Sequence, residues 1–209
     1  MFHDIEQNTD PWLEMRAGKV TGSSIAKVMA NDGKAFGEPA KRLAVEIALE
    51  QIRGTPILST YTNADMERGH EQEPLARARY EDEYFCTVDN GGFFDNIDTG
   101  CSPDGLVNHP NPVNNGVIEI KCVIPSVQYK RVKSGTYDSA YRWQLIFNLK
   151  ETGRPWIDYI SFCPEFTDNK QLFVTRMYAE SQQTAFEKID ARLEKFLLMV
   201  KQIKAEIAE

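Results

Sequence analysis

No apolar run in these 209 residues approaches the roughly 18 needed to cross a membrane as a helix; the longest, Phe196 to Val200, falls far short. The first ten residues carry three acids and no Lys or Arg, so the basic start and apolar core of a signal peptide are absent and a cytoplasmic protein is expected. Cysteine is sparse and unpaired in spacing: Cys86, Cys101, Cys122 and Cys163 include no CxxC, and reduced, mostly buried thiols are expected. Three histidines are too few and too scattered for a zinc-dependent hydrolase. Basic side chains are the minority, 24 against 31 acids for a net charge of −7. That balance argues against a nucleic-acid coat protein but leaves room for a local basic cleft. Repeats, low-complexity tracts and flexible linkers are lacking too, so residues 1–209 read as one domain.

What is present is a helical first third and a β-rich middle. Asp10 followed by Pro11 predicts a capped helix through Trp12, Leu13 and Arg16 to Gly18, and Thr21 or Ser23 a cap for Ser24 to Ala30. Leu43, Ile47 and Ile52, with Gly54 as stop, predict a helix over Glu38 to Arg53. Another is expected over Asn63 to Glu83, with Met66, Leu75 and Ala78 on one face and Gly69 and Pro74 interrupting it. Thr87–Phe94, Thr99–Val107 and Gly116–Val123 read as sequential antiparallel strands. Helices over Ser126–Lys133 and Ser139–Glu151, strands over Trp156–Cys163 and Gln171–Tyr178, and a closing amphipathic helix from Gln182 complete the pattern. A central mixed sheet flanked by helices, an α/β or α+β sandwich, is the expected fold.

Chemistry concentrates at Asp104, in a Ser-Pro-Asp-Gly turn, and at Glu119 and Lys121, two apart on a strand and therefore on one face. Ile118 and Ile120 then point to the core. Two carboxylates and the Ile120 carbonyl offer hard oxygen ligands to a divalent metal, and Lys121 a charge for phosphate or water. The same residues also fit a turn aspartate beside an exposed, weak Glu–Lys pair.

The surrounding blocks decide between these. Trp12-Leu-Glu-Met-Arg16-Ala-Gly18, Val20-Thr-Gly-Ser23, Gly69-His-Glu-Gln-Glu73, Ser102-Pro-Asp-Gly105, Glu119-Ile-Lys-Cys122 and Tyr141-Arg-Trp-Gln144 occur in that order over about two-thirds of the chain. In them the sequence resembles the phage λ exonuclease and YqaJ-type viral recombinase nucleases of the PD-(D/E)xK superfamily. The resemblance implies a Mg2+-dependent 5′→3′ exonuclease with two ions (Mn2+ as a substitute), acting on double-stranded DNA ends. It also implies a 3′ overhang as product, a homotrimeric ring, and a single-strand annealing recombination protein as partner. It makes Asp104, Glu119, Ile120 and Glu73 metal ligands, Lys121 the catalytic lysine and Gln144 an active-site glutamine. Arg16 and Ser23 become holders of the 5′ phosphate.

Departures accompany the matches. Where λ-type members carry a further phosphate-binding arginine, this chain has Val123-Ile-Pro-Ser-Val127, and its nearest cations are Lys130, Arg131 and Lys133. The superfamily's Gln-x-x-x-Tyr here ends in Asn148. Trp12, beside the phosphate residues, is the aromatic best placed to meet DNA, and Lys130 and Arg131 the cations; His70 is a lesser metal-ligand candidate. A PD-(D/E)xK endonuclease of restriction or repair type, or a non-catalytic DNA-end-binding module, are the competing functions.

Overall fold

The computed structural model describes residues 1–31, 34–57 and 64–209. Seven α-helices are found among them: α1 Asp10–Arg16, α2 Ile25–Met29, α3 Glu38–Arg53, α4 Ala64–Tyr84, α5 Pro125–Ser134, α6 Arg142–Thr152 and α7 Gln183–Ala208. The strands are β1 Phe2–His3, β2 Val20–Thr21, β3 Val88–Asp89, β4 Phe93–Asn96, β5 Thr99–Cys101, β6 Gly105–Val107, β7 Gly116–Cys122, β8 Trp156–Phe162 and β9 Leu172–Tyr178.

The expected mixed sheet exists, in the order β3-β6-β7-β8-β9, with β7 and β8 parallel and every other pair antiparallel. A second mixed sheet, β1-β4-β5-β2, was not expected. It arises because Gly91-Gly92 and Ser102-Pro103 break each of two anticipated long strands, sending β4 and β5 to one sheet and β3 and β6 to the other.

The five-stranded sheet is covered on both faces. Ala76 and Tyr80 of α4 pack on Ile118, Ile120, Ile160 and Phe162. On the opposite face Leu145 and Leu149 of α6 pack with Val117, Ile157 and Tyr159, and α3 and α7 lie behind. Burying each such side chain contributes about 1.5–3 kcal/mol. Left-handed Gly54, Gly135 and Gly153 end α3, α5 and α6.

Several local expectations change. Thr9, not Asp10, is the N-cap of α1, and its hydroxyl makes no cap bond, donating instead to Glu6 O. Ile52 is exposed, because α3 buries Leu43, Ala44, Ile47 and Ala48 instead. Pro74 sits inside a continuous α4, whose buried face carries Ala76 and Tyr80, while Leu75 and Ala78 are exposed. Asn63 and the side chain of Met66 lie outside the described residues. All four cysteines are free, Cys101 and Cys163 buried. No helix among the described residues is long and apolar enough to cross a membrane.

Candidate active site

Strand β7 builds the site. Its period of two sends Ile118 and Ile120 under α4 and turns Glu119 and Lys121 to the other face. Strand β6 pairs only as far as Gly105 with Ile118, and the turn before it folds Asp104 over the next residues of β7. The Asp104 N–H donates to Ile118 O at 3.0 Å, and Asp104 Oδ2 accepts from the Ile120 N–H at 2.6 Å. The Ile120 carbonyl lies along the same strand edge as its N–H, so it also faces Asp104.

Glu119 is 1% exposed, so the reading of an exposed Glu–Lys pair fails. A buried carboxylate needs partners, and this one has three. Lys121 Nζ bonds Oε1, Gln144 Nε2 donates to Oε1 at 2.6 Å, and Asn148 Nδ2 donates to Oε2 at 2.9 Å. Gln144 and Asn148 stand one turn apart on α6, which places both amides on the face toward β7. In the sequence Asn148 reads as a departure from Gln-x-x-x-Tyr; its signal is a polar residue at i+4 from Gln144 within an apolar run.

Glu73 arrives from the opposite helix. Tyr80 OH donates to buried Asp158 Oδ2 at 2.7 Å, and Arg176 grips the same carboxylate through Nε and Nη2 at 2.7 and 2.8 Å. That anchor fixes α4 on the sheet, and Glu73, two turns earlier, reaches the cavity. Its i+4 partner is also real: Arg77 Nη2 lies 3.7 Å from Glu73 Oε1 while donating to Asp104 O. Glu73, Asp104, Ile120, Lys121 and Ser23 line one cavity of about 700 Å³ at the carboxyl end of β7.

The electrostatics are those of acids short of positive charge. Burial, then Asp104, pushes Glu119 up to about 7, and the same causes push Glu73 up to about 7. Burial raises Asp104 as well, against the pull of Lys121, the Ile120 N–H and Arg77. Burial opposes the charge on Lys121, but Glu119 and Asp104 outweigh it and hold the ammonium above the ordinary lysine value.

A second cleft, of about 980 Å³, adjoins the first; Ser23 and Asn8 line both. Arg16 Nη2 reaches Ser23 Oγ at 3.2 Å and Thr21 Oγ1 at 3.4 Å, and it forms no ion pair among the described residues. Its guanidinium lies over the Trp12 ring at 4.1 Å, and Trp12 Nε1 donates to Ser102 Oγ at 2.7 Å. Trp12 is buried, so its ring carries Arg16 rather than standing free. Burial lowers Arg16 to about 10, with Glu50 opposing. Lys130 and Arg131 line neither cavity: Lys130 is exposed on α5, and Arg131 Nη2 sits 3.6 Å from Asp138, which lines the first. His70 is exposed at the rim of that cavity.

Among the described residues, no three Asp, Glu, His or Cys side chains converge into a closed metal cluster. The donors that line or underlie the cavity are nevertheless hard oxygens, which suit Mg2+ better than zinc. Their raised pKa values mark a deficit of positive charge that a divalent cation would relieve.

A family model for the YqaJ-like viral recombinase domain matches residues 11–155. Among solved structures, the alkaline exonuclease LHK-Exo from Laribacter hongkongensis is 31% identical over 96% of this chain and 98% of its own, with a TM-score of 0.79. The complex of LHK-Exo with dAMP gives 32% over the same shares and a TM-score of 0.78. A phage-related exonuclease from Haemophilus somnus, 16% identical over 90% of this chain and 96% of its own, shares the fold with a TM-score of 0.65. No curated protein matches. The chain belongs to the YqaJ-like viral recombinase family and, with LHK-Exo, to the alkaline exonucleases, a deoxyribonuclease class.

Proposed function

We propose that this deoxyribonuclease is a Mg2+-dependent exonuclease that digests one strand of linear duplex DNA 5′→3′ and leaves a 3′ overhang for recombination. The observation that carries this reading is the wall, Ser23 and Asn8, shared by the carboxylate cavity and the Arg16 cleft. Cutting within a duplex needs the carboxylates alone; starting from an end gains from a terminal-phosphate site beside them. Arg16 supplies a planar, permanently charged fork for such a phosphate, with Ser23 as a second donor. That LHK-Exo forms a complex with dAMP, a nucleoside monophosphate, supports recognition of a nucleotide phosphate.

Asp104, Glu119, Glu73 and the Ile120 carbonyl would hold the metal, two ions by the family resemblance. Bound Mg2+ offsets phosphate charge and makes water a better nucleophile at neutral pH. Asp104, pinned by the Ile120 N–H, presents an oxygen to the cavity from a fixed position. Gln144 and Asn148 hold Glu119 in one orientation and favour its ionised form. Lys121, held protonated by its acidic neighbours, acts as a donor to phosphate or to the attacking water rather than as a base. A homotrimeric ring and an annealing protein that receives the overhang complete the proposal. In such a ring an acidic outer surface is compatible with DNA binding, because basic residues such as Arg16, Lys130 and Arg131 would face the DNA.

The test is digestion of linear duplex labelled at either the 5′ or the 3′ end, beside a closed circle, in Mg2+ or EDTA, by wild type and Lys121→Ala. Loss of 5′ nucleotides from the linear DNA alone, only in Mg2+ and not by the variant, is expected. Cleavage of the circle would instead make the protein an endonuclease, and binding without cleavage an end-binding module.

A further inference from the structure

Asn148 is an expensive residue where it stands. It is 1% exposed in the middle of α6, flanked by buried Leu145, Ile146, Phe147 and Leu149. Its Nδ2 is used by Glu119, but its Oδ1 is buried with no hydrogen-bond partner among the described residues. A buried, unmet carbonyl carries a desolvation penalty, and such a group calls for a reason.

The reason lies on the other side of the amide. A Cβ on Gly22 would stand 2.6 Å from Asn148 Oδ1 and 3.8 Å from Cys101 Cβ. Gly22 does not have a positive φ, so the backbone conformation does not demand glycine there. The close approach of the amide does. Gly22 joins Thr21 to Ser23, the two residues whose hydroxyls receive Arg16. The segment is itself stiffened by Ser24, whose Oγ accepts from the Thr21 N–H at 2.9 Å. Hydrogen bonds run from Arg16 to Thr21 and Ser23 and from Asn148 to Glu119, and Gly22 stands between the two sets, close enough to the Asn148 amide that a Cβ there would clash with Oδ1.

We propose that Asn148 is a positioning residue that couples the strand-end grip of Arg16 and Ser23 to the carboxylate of Glu119. This rests on the exonuclease reading above and deepens it. The amide has one productive orientation: its NH2 faces the carboxylate, which only accepts, and its carbonyl faces Gly22, which has no side chain to clash. A phosphate seated on Arg16 and Ser23 presses the Gly22 backbone toward the amide and keeps Glu119 at its working angle. An end without a phosphate leaves that contact slack. Gln144 also bonds Glu119, but among the described residues it neither lines the Arg16 cleft nor hydrogen-bonds the Thr21–Ser23 segment, so it holds the carboxylate without sensing the end.

The test compares duplexes with 5′-phosphate and 5′-hydroxyl ends, using wild type, Asn148→Ala, Gly22→Ala and the double variant, each checked for folding by circular dichroism. Asn148→Ser joins the set in case the alanine variant does not fold. In wild type, kcat is expected to be higher for the phosphorylated end. Asn148→Ala loses a hydrogen bond to a charged group, so its kcat on that end is expected to fall about tenfold or more, with KM within about twofold. The preference between ends collapses toward unity. Gly22→Ala, which pushes the amide aside, is expected to give the same loss, and the double variant no further loss, because the truncated side chain leaves room for the methyl group.

An unchanged preference in folded Asn148 variants, a change confined to KM, or additive losses in the double variant would overturn the proposal. Wild-type digestion that ignores the 5′ phosphate would overturn the coupling and leave the nuclease standing. No digestion of any linear duplex by wild type would overturn both.

Discussion

The raised acids of the cavity make stability itself a reporter of the site. In the folded chain Glu119 and Glu73 each titrate at about 7 rather than at 4.5. Between those values the folded state holds more protons than the unfolded state, so stability falls as pH rises through the window. For Glu119, 1% exposed, the rise corresponds to about 3 kcal/mol. Glu73, whose side chain is 36% exposed, adds less because solvent screens it. At roughly 2–4 °C per kcal/mol for a chain of this size, Tm in EDTA should drop by about 6–12 °C from pH 5 to pH 8. Mg2+ bound as proposed would hold the acids in their ionised form, so it should raise Tm strongly at pH 8 and little at pH 5. Glu119→Gln removes the larger contribution and should flatten the profile. Scanning calorimetry across pH, with and without Mg2+, measures all three. A Tm in EDTA that is flat or rises over this range, or a Mg2+ shift equal at both ends, would refute the reasoning.

Two further outcomes follow from the same site. The Tyr159 hydroxyl is buried with no hydrogen-bond partner among the described residues, so Tyr159→Phe should stabilise the protein by about 1 kcal/mol, seen as a Tm higher by roughly 2–4 °C; a lower Tm would mean the hydroxyl has a partner. Arg16→Gln should raise KM for 5′-phosphorylated duplex about tenfold or more, lower kcat on that end toward its value on 5′-hydroxyl duplex, and leave 5′-hydroxyl duplex nearly unchanged, measured by steady-state digestion; equal losses on both would remove Arg16 from phosphate recognition.

The centre of the site was legible because it follows the strand period. Ile-Glu-Ile-Lys in β7 can bury its isoleucines only by turning Glu119 and Lys121 together, and Pro103 and Gly105 mark Asp104 as a turn residue. The helix end at Gly54 is legible for a separate reason, since a left-handed cap favours glycine. The second sheet was not, because β1 and β2 are two residues each and carry no periodicity. The buried face of α4 is not legible because Leu75 outweighs Ala76 in any hydrophobic count, yet it is the small Ala76 that packs against β7. Asn148 escaped for a different reason. A buried amide is intelligible only through its partners, and Glu119 and Gly22 are distant in sequence and meet it only in the fold. Trp12 reads in sequence as the aromatic best placed to meet DNA, whereas in the fold it is buried and Arg16 covers its ring.

The most direct measurement is release of nucleotides from linear duplex by wild type, Asp104→Asn and Lys121→Met, side by side in Mg2+ and in EDTA. The account predicts release by wild type in Mg2+ only, and a loss of at least about a hundredfold in each variant with the fold retained. Undiminished release by folded Asp104→Asn, or release by wild type in EDTA, would contradict it.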